Sequence, residues 1–210
     1  MKIKILLLLI LLTGCSTARL VNAYKNSEDT PLTPEKILVV GITHNMEARE
    51  AFEYGLQKAF RKKSIEALPS LDYFSQDPLL RKMTLAEVSQ LEQQLIADNF
   101  NTVIIARVIS VEDRENLILY MANLDSYYKS FQNDYYDNQT LDQRSEQPVG
   151  TKIFHTETGI YNISKTDRRD LIWRGRIDIV NPEKTRPTVN QYIKRLIATL
   201  KEEEIIIFRN

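Results

Sequence analysis

A single cysteine, Cys15, stands in a chain of 210 residues. That lone thiol narrows the folds open to the chain more than any other feature. No disulfide can close within it and no cysteine pair can hold a metal, so the folded body must stand on an apolar core. At this length one core is sufficient and one domain is expected. No internal repeat divides the chain.

Cys15 also has a particular place. Lys2 and Lys4 precede an apolar run from Ile5 to Leu12, and Leu12-Thr13-Gly14-Cys15 closes it, in the order of a short secretory signal. The run is far below the roughly 20 apolar residues that span a bilayer. The four closing residues resemble the lipobox of bacterial lipoproteins. The resemblance implies cleavage after Gly14 and lipidation of Cys15, which then anchors the mature chain through two or more acyl chains. Ser16 rather than Asp after the cysteine implies the outer membrane, with the body facing the periplasm. Residues 1–14 are thus expected to be the signal and 15–35, polar with Pro31 and Pro34, a flexible tether. A single globular domain is expected over 36–210.

Within that domain Lys36–Thr43 (KILVVGIT) predicts a buried strand. Asn45 caps an amphipathic helix carrying Ala48, Phe52, Leu56 and Phe60, with acids early and bases late. A short strand over Ser64–Leu68 follows. Thr84 and Glu87 form a capping box that opens a second helix carrying Leu85, Val88, Leu91 and Leu95. The apolar run Thr102–Val111 predicts a central strand. Polar, tyrosine-rich residues 123–147, with Tyr127, Tyr128, Tyr135 and Tyr136, read as an insertion. Thr151–Ser164 predicts a strand with apolar residues in two phases, and so a bulge near Gly159. In the next strand Leu171, Trp173, Ile177 and Ile179 alternate with Ile172, Arg174, Arg176 and Asp178, which predicts one buried and one wet face. A closing helix with Tyr192, Ile193, Leu196 and Leu200 precedes a last short strand over Ile205–Phe208. The fold class expected is α/β (α+β), a mixed sheet covered by amphipathic helices in the order β-α-β-α-β-(insertion)-β-β-α-β. Right-handed crossovers would place the first two helices on one side of the sheet.

Chemical signals are sparse. Lys plus Arg and Asp plus Glu are 28 each; without Lys2 and Lys4 the mature balance is near −2. No basic excess points to nucleic acid. The two histidines, His44 and His155, lack metal-ligand spacing, and six glycines form no phosphate loop. No cofactor and no catalytic residue is expected. His44, just past the first strand, lies where open α/β sheets bind ligands. His155 is expected to face solvent or a neighbouring strand. Glu112, Asp113 and Glu115 read as a solvated strand end. The tyrosines Tyr127, Tyr128, Tyr135 and Tyr136 form a candidate partner or ligand surface, since each ring offers area at small entropic cost.

The hairpin ETGIYNISKTDRRDLIWRGRIDI before the final helix, with Trp173 and Gly175 in a Trp-x-Gly pattern, is similar to small bacterial envelope lipoproteins of a domain family of unknown function. More distantly, the element order resembles the amino-terminal domain of the Tol-system propeller protein, the curli-secretion lipoprotein and the lipoprotein activators of penicillin-binding proteins. The resemblance implies a non-enzymatic adaptor held to the membrane by its lipid, with envelope proteins as partners. A glycan or small-ligand binder using the tyrosine-rich insertion is the alternative.

Overall fold

The computed structural model describes residues 17–28, 30–75, 82–111, 132, 153–164, 171–180 and 182–208. Its elements in chain order are β1 (Ala18–Lys25), β2 (Lys36–Ile42), α1 (Met46–Arg61), β3 (Glu66–Pro69), α2 (Ser70–Tyr73), α3 (Leu85–Ala97), β4 (Thr102–Val111), β5 (Ile153–Asn162), β6 (Leu171–Val180) and α4 (Thr185–Glu202). The six strands form one sheet in the order β1-β6-β5-β4-β2-β3. β3, β2 and β4 are parallel, while β4, β5, β6 and β1 run antiparallel to their neighbours. The mixed α/β class expected from the sequence is the class observed.

Local chemistry sets the helix ends. The Asn45 Oδ1 accepts the Ala48 N–H at 3.0 Å, and Glu47 opens α1 while Lys58 and Arg61 close it. The Thr84 N–H donates to Glu87 Oε2 at 2.7 Å and the Glu87 N–H returns to Thr84 Oγ1 at 3.3 Å, the reciprocal box that starts α3.

Both faces of the sheet are covered. On one, Ile37, Val39, Ile104, Ile160, Trp173 and Ile177 meet Phe52, Leu56 and Phe60 of α1 and Tyr192, Leu196 and Leu200 of α4. On the other, Leu38, Val40, Val103, Ile105 and Tyr161 meet Val88, Leu91 and Leu95 of α3. Each fully buried side chain of this size is worth about 1.5–3 kcal/mol of transfer free energy.

α1 and α3 therefore lie on opposite faces, not on one. The chain steps outward from β2 to β3 and then back across β2 to β4, and two right-handed crossovers taken in opposite directions place their helices on opposite sides. A second correction concerns the expected tether. Ala18–Lys25 is an edge strand paired with β6, and Leu32 is buried in the core, bonded to the backbone of Ile205 and Ile207. Most of β1 faces water, so it carries little apolar pattern; backbone pairing with β6 makes the strand. Ile205–Phe208 adds no strand to the sheet; it touches Leu32 through a single parallel bridge at Ile206.

The two apolar phases of β5 are its two faces: Ile160 joins the α1–α4 core, Tyr161 and Ile163 the α3 core. Its register with β6 does shift one residue past Gly159, but the extra residue is Ile172 on β6. A second shift leaves Ile109 extra on β4. The Ile172 bulge turns that side chain into the α1–α4 core rather than toward water.

Two glycines are there for aromatic rings. A Cβ on Gly175 would stand 2.0 Å from Cη2 of Trp173, and one on Gly159 would stand 2.7 Å from the Tyr161 hydroxyl. The Trp-x-Gly pattern is thus a packing device: the indole lies across a bare stretch of backbone, and its Nε1 donates to Glu203 Oε2 at 2.8 Å.

Candidate functional site

Polar or concave chemistry comes together at several places among the described residues. The first is the end of the sheet where β2 and β4 finish. These neighbours are parallel and their flanking helices lie on opposite faces, the topological switch at which α/β sheets open a crevice. A pocket of about 100 Å³ sits there, walled by Ile42, Thr43, Phe52, Val108, Ile179 and Val189. Tyr192 closes its floor, with its hydroxyl 2.5 Å from Thr158 Oγ1. Burial pushes the Tyr192 phenol above its ordinary range, with the Thr158 and Thr156 hydrogen bonds pulling the other way, so the phenol stays neutral. The walls suit a small apolar group, and the volume is well below the roughly 300–1,000 Å³ of sites for drug-sized ligands. His44 is exposed in the loop between β2 and α1; Thr43 is its neighbour that reaches the pocket wall.

The second place is a row of charges across β4, β5 and β6 on the face that α3 covers. Arg107 Nη2 donates to Glu157 Oε1 at 2.6 Å, and Arg174 Nε lies 3.6 Å from the same oxygen. The Arg174 guanidinium also donates to the Tyr161 hydroxyl at 3.1 Å. Further along, His155 Nδ1 is 2.6 Å from Asp178 Oδ1, with Arg176 Nε 3.9 Å from that oxygen. His155, Arg174 and Arg176 are buried, at 4%, 8% and 6% exposure. This corrects the expected wet face of β6: residues that look solvent-facing along one strand are matched by partners one strand away. His155 does meet a neighbouring strand, but away from solvent. Its Nε2 is buried and has no hydrogen-bond partner among the described residues.

The third is the ion pair Arg49–Glu53 beneath α1, the two side chains 1% and 0% exposed. Glu53 Oε1 accepts from the Gly41 N–H at 2.9 Å, Arg49 Nε at 3.0 Å and Ser70 Oγ at 2.8 Å, while its Oε2 accepts the Leu71 N–H at 3.0 Å. One carboxylate thereby ties α1 to β2 and to the start of α2. A Cβ on Gly41 would press on Arg49 Cγ at 3.3 Å, so glycine lets the pair sit against the strand. Neither charge cluster was legible as a site in the sequence, because each depends on residues brought together by sheet register or by helix docking. The i,i+4 spacing of Arg49 and Glu53 was the only local sign of the third.

Of the candidate residues read from the sequence, Cys15, Gly14, Tyr127, Tyr128, Tyr135 and Tyr136 lie outside the described residues, as do Glu112, Asp113 and Glu115. Gln132, from the tyrosine-rich insertion, is described. Its amide donates to Ser89 Oγ at 3.3 Å and to Glu92 Oε2 at 2.5 Å on α3. Among the described residues, no group of three or more His, Cys, Asp or Glu is placed to hold a metal, and no helix is long and apolar enough to cross a membrane.

No protein-family model and no curated protein matches the sequence. Solved structures align with it over most of both chains. A point variant of PelC from Paraburkholderia phytofirmans, a dodecamer, is 10% identical with a TM-score of 0.43, over 89% of this chain and 98% of that one. PelC itself, in another crystal form, is 10% identical with a TM-score of 0.41, over 88% and 97%. The lipoprotein GNA1162 from Neisseria meningitidis is 9% identical with a TM-score of 0.41, over 80% of this chain and 99% of that one.

Proposed function

We propose that the chain is a lipid-anchored protein of the bacterial cell envelope, held at the outer membrane through Cys15 and acting in the periplasm as a non-enzymatic interaction or assembly module. The observation that carries this reading is Leu12-Thr13-Gly14-Cys15 at the end of a basic-then-apolar leader in a chain with no other cysteine. The hairpin that resembles envelope lipoproteins supports the module role, because its Trp173–Gly175 pair builds core rather than a reaction centre. Partners are envelope proteins, and the membrane is engaged by acyl chains.

Metabolic labelling with a palmitate analogue tests the anchor. Label is expected in the mature product and absent from Cys15→Ser. An unlabelled wild-type product, or one that leaves membranes without detergent, overturns the reading. Cross-linking in cells followed by mass spectrometry tests the module role, and an absence of envelope partners across several growth states counts against it.

A glycan or small-ligand binder is the alternative, and the apolar pocket beside Thr43 favours its small-ligand form. Val189→Phe, which fills that pocket, should abolish binding of a small apolar probe such as xenon while leaving the thermal transition in place. Unchanged binding removes the pocket form of this alternative.

A further inference from the structure

We infer that the anchored domain is held in one orientation, with the end of the sheet bearing the pocket and the start of α1 turned to the lipid headgroups. This rests on the lipid-anchor reading and adds to it the surface that meets the bilayer.

The argument is one of chain length. A tether of twenty residues would let the body tumble tens of ångströms from the membrane. The structure leaves no such tether. Thr17 is pinned on both sides: its N–H and hydroxyl donate to Gln191 Oε1 at 2.9 and 2.7 Å, and its carbonyl accepts the Val180 N–H at 2.9 Å. Only Ser16 separates it from Cys15. Two Cα steps of about 3.8 Å keep the lipid-bearing residue within about 8 Å of Thr17.

Strand directions then decide what else lies at that end. Ala18 pairs with Ile179, so β1 starts where β6 finishes. β6 is antiparallel to β5, and β5 to β4, so β4 and its parallel neighbour β2 finish there too. The loop carrying His44 and the start of α1 follow β2, and α4 starts just after β6. The pocket opens at this end, and its wall residue Ile179 is the register partner of Ala18. Arg61, Lys62 and Lys63, at the far end of α1, point away from the anchor.

Charge does not produce this orientation. At the anchored end Arg186 lies 3.5 Å from Glu47 and 3.9 Å from Glu50, which offsets its charge. At the other end Glu202, Glu203 and Glu204 at the close of α4 accompany Arg61, Lys62 and Lys63 at the close of α1, so no one-signed basic face competes with the short link.

The test uses the full-length lipidated protein in phosphatidylcholine vesicles doped with a headgroup nitroxide lipid. With Cys15 blocked by lipid, a thiol-reactive fluorophore placed by Met46→Cys or by Lys62→Cys labels one site only. Both positions are exposed and stand at opposite ends of α1, roughly 24 Å apart. Quenching at position 46 is expected to exceed that at 62 severalfold, with little dependence on salt. Inserting ten Gly/Ser residues between Ser16 and Thr17 should bring the ratio toward one while the protein still floats with vesicles. Equal quenching in the parent, or stronger quenching at 62, overturns the orientation alone. Failure to float overturns the anchor, and the orientation with it.

Discussion

Among the described residues charge is buried on both faces of the one sheet, and the two clusters are built differently. Beneath α1, Glu53 is enclosed and receives four hydrogen bonds from four different residues. On the other face Arg107, Glu157, Arg174, Arg176, His155 and Asp178 are strung across three strands, each carboxylate shared between two basic side chains and one imidazole nitrogen without a described partner. A buried ion is tolerated when its remaining lone pairs are met by fixed donors, and the first cluster meets that condition with two backbone N–H groups and the Ser70 hydroxyl beside Arg49. The second relies on side chains, whose positions cost more entropy to hold. The comparison separates a charge that joins secondary structure elements from charges that decorate a sheet already held by its ladder.

The largest test of that contrast is Glu53→Gln. It removes the carboxylate that faces Arg49 and should cost about 3–5 kcal/mol in urea unfolding, as breaking one partner of a buried pair does. A loss below about 1 kcal/mol would mean that the pair does not hold α1 in place. Gly175→Ala comes next, at about 1–3 kcal/mol, because the added methyl meets the Trp173 ring rather than a flexible chain end. In a Trp173→Leu background the same Gly175→Ala change should cost less, and an equal cost would show that the indole is not the obstacle. Smaller again is the coupling between Arg107 and Glu157. A double-mutant cycle should give about 1 kcal/mol, below the value for Arg49 with Glu53; equal couplings would erase the distinction between the clusters.

Thr199→Val works in the opposite direction. Its hydroxyl is buried on α4 with no partner among the described residues, so the isosteric methyl should stabilise by about 1 kcal/mol, read as a higher urea midpoint at constant slope. The smallest effect concerns Glu92 on α3. Burial raises its carboxyl above 4.5, with the Gln132 hydrogen bond opposing. The folded state therefore favours the protonated form, and this contribution to stability is full below pH 4.5 and lost as pH rises through the raised value. Glu92→Gln should flatten that segment of the stability–pH curve; an unchanged slope would show that Glu92 does not set it.

Elements whose causes are local were legible from the chain. Asn45, Thr84 and Glu87 announce helix starts, and the stripes through Phe52 and Leu56 and through Val88 and Leu91 set which side is buried. The central place of Thr102–Val111 follows from its largely apolar run, interrupted by Arg107. β1 escaped notice because ARLVNAYK buries little, and its partner β6 lies some 150 residues away in sequence. The switch-point pocket was legible as a place, through His44, but not as a surface, since the helices that wall it come from opposite ends of the chain.

The sequence by itself determined the single cysteine, the class of fold, the helix caps and the absence of a disulfide within the chain, because each depends on residues a few positions apart or on a count. Tertiary structure alone decided that α1 and α3 part to opposite faces, that Arg174 of β6 is buried beside Glu157 of β5, and that Ala18–Lys25 is a strand. Those outcomes rest on sheet order and register, which arise from the simultaneous burial of both faces and from backbone pairing between segments distant in the chain.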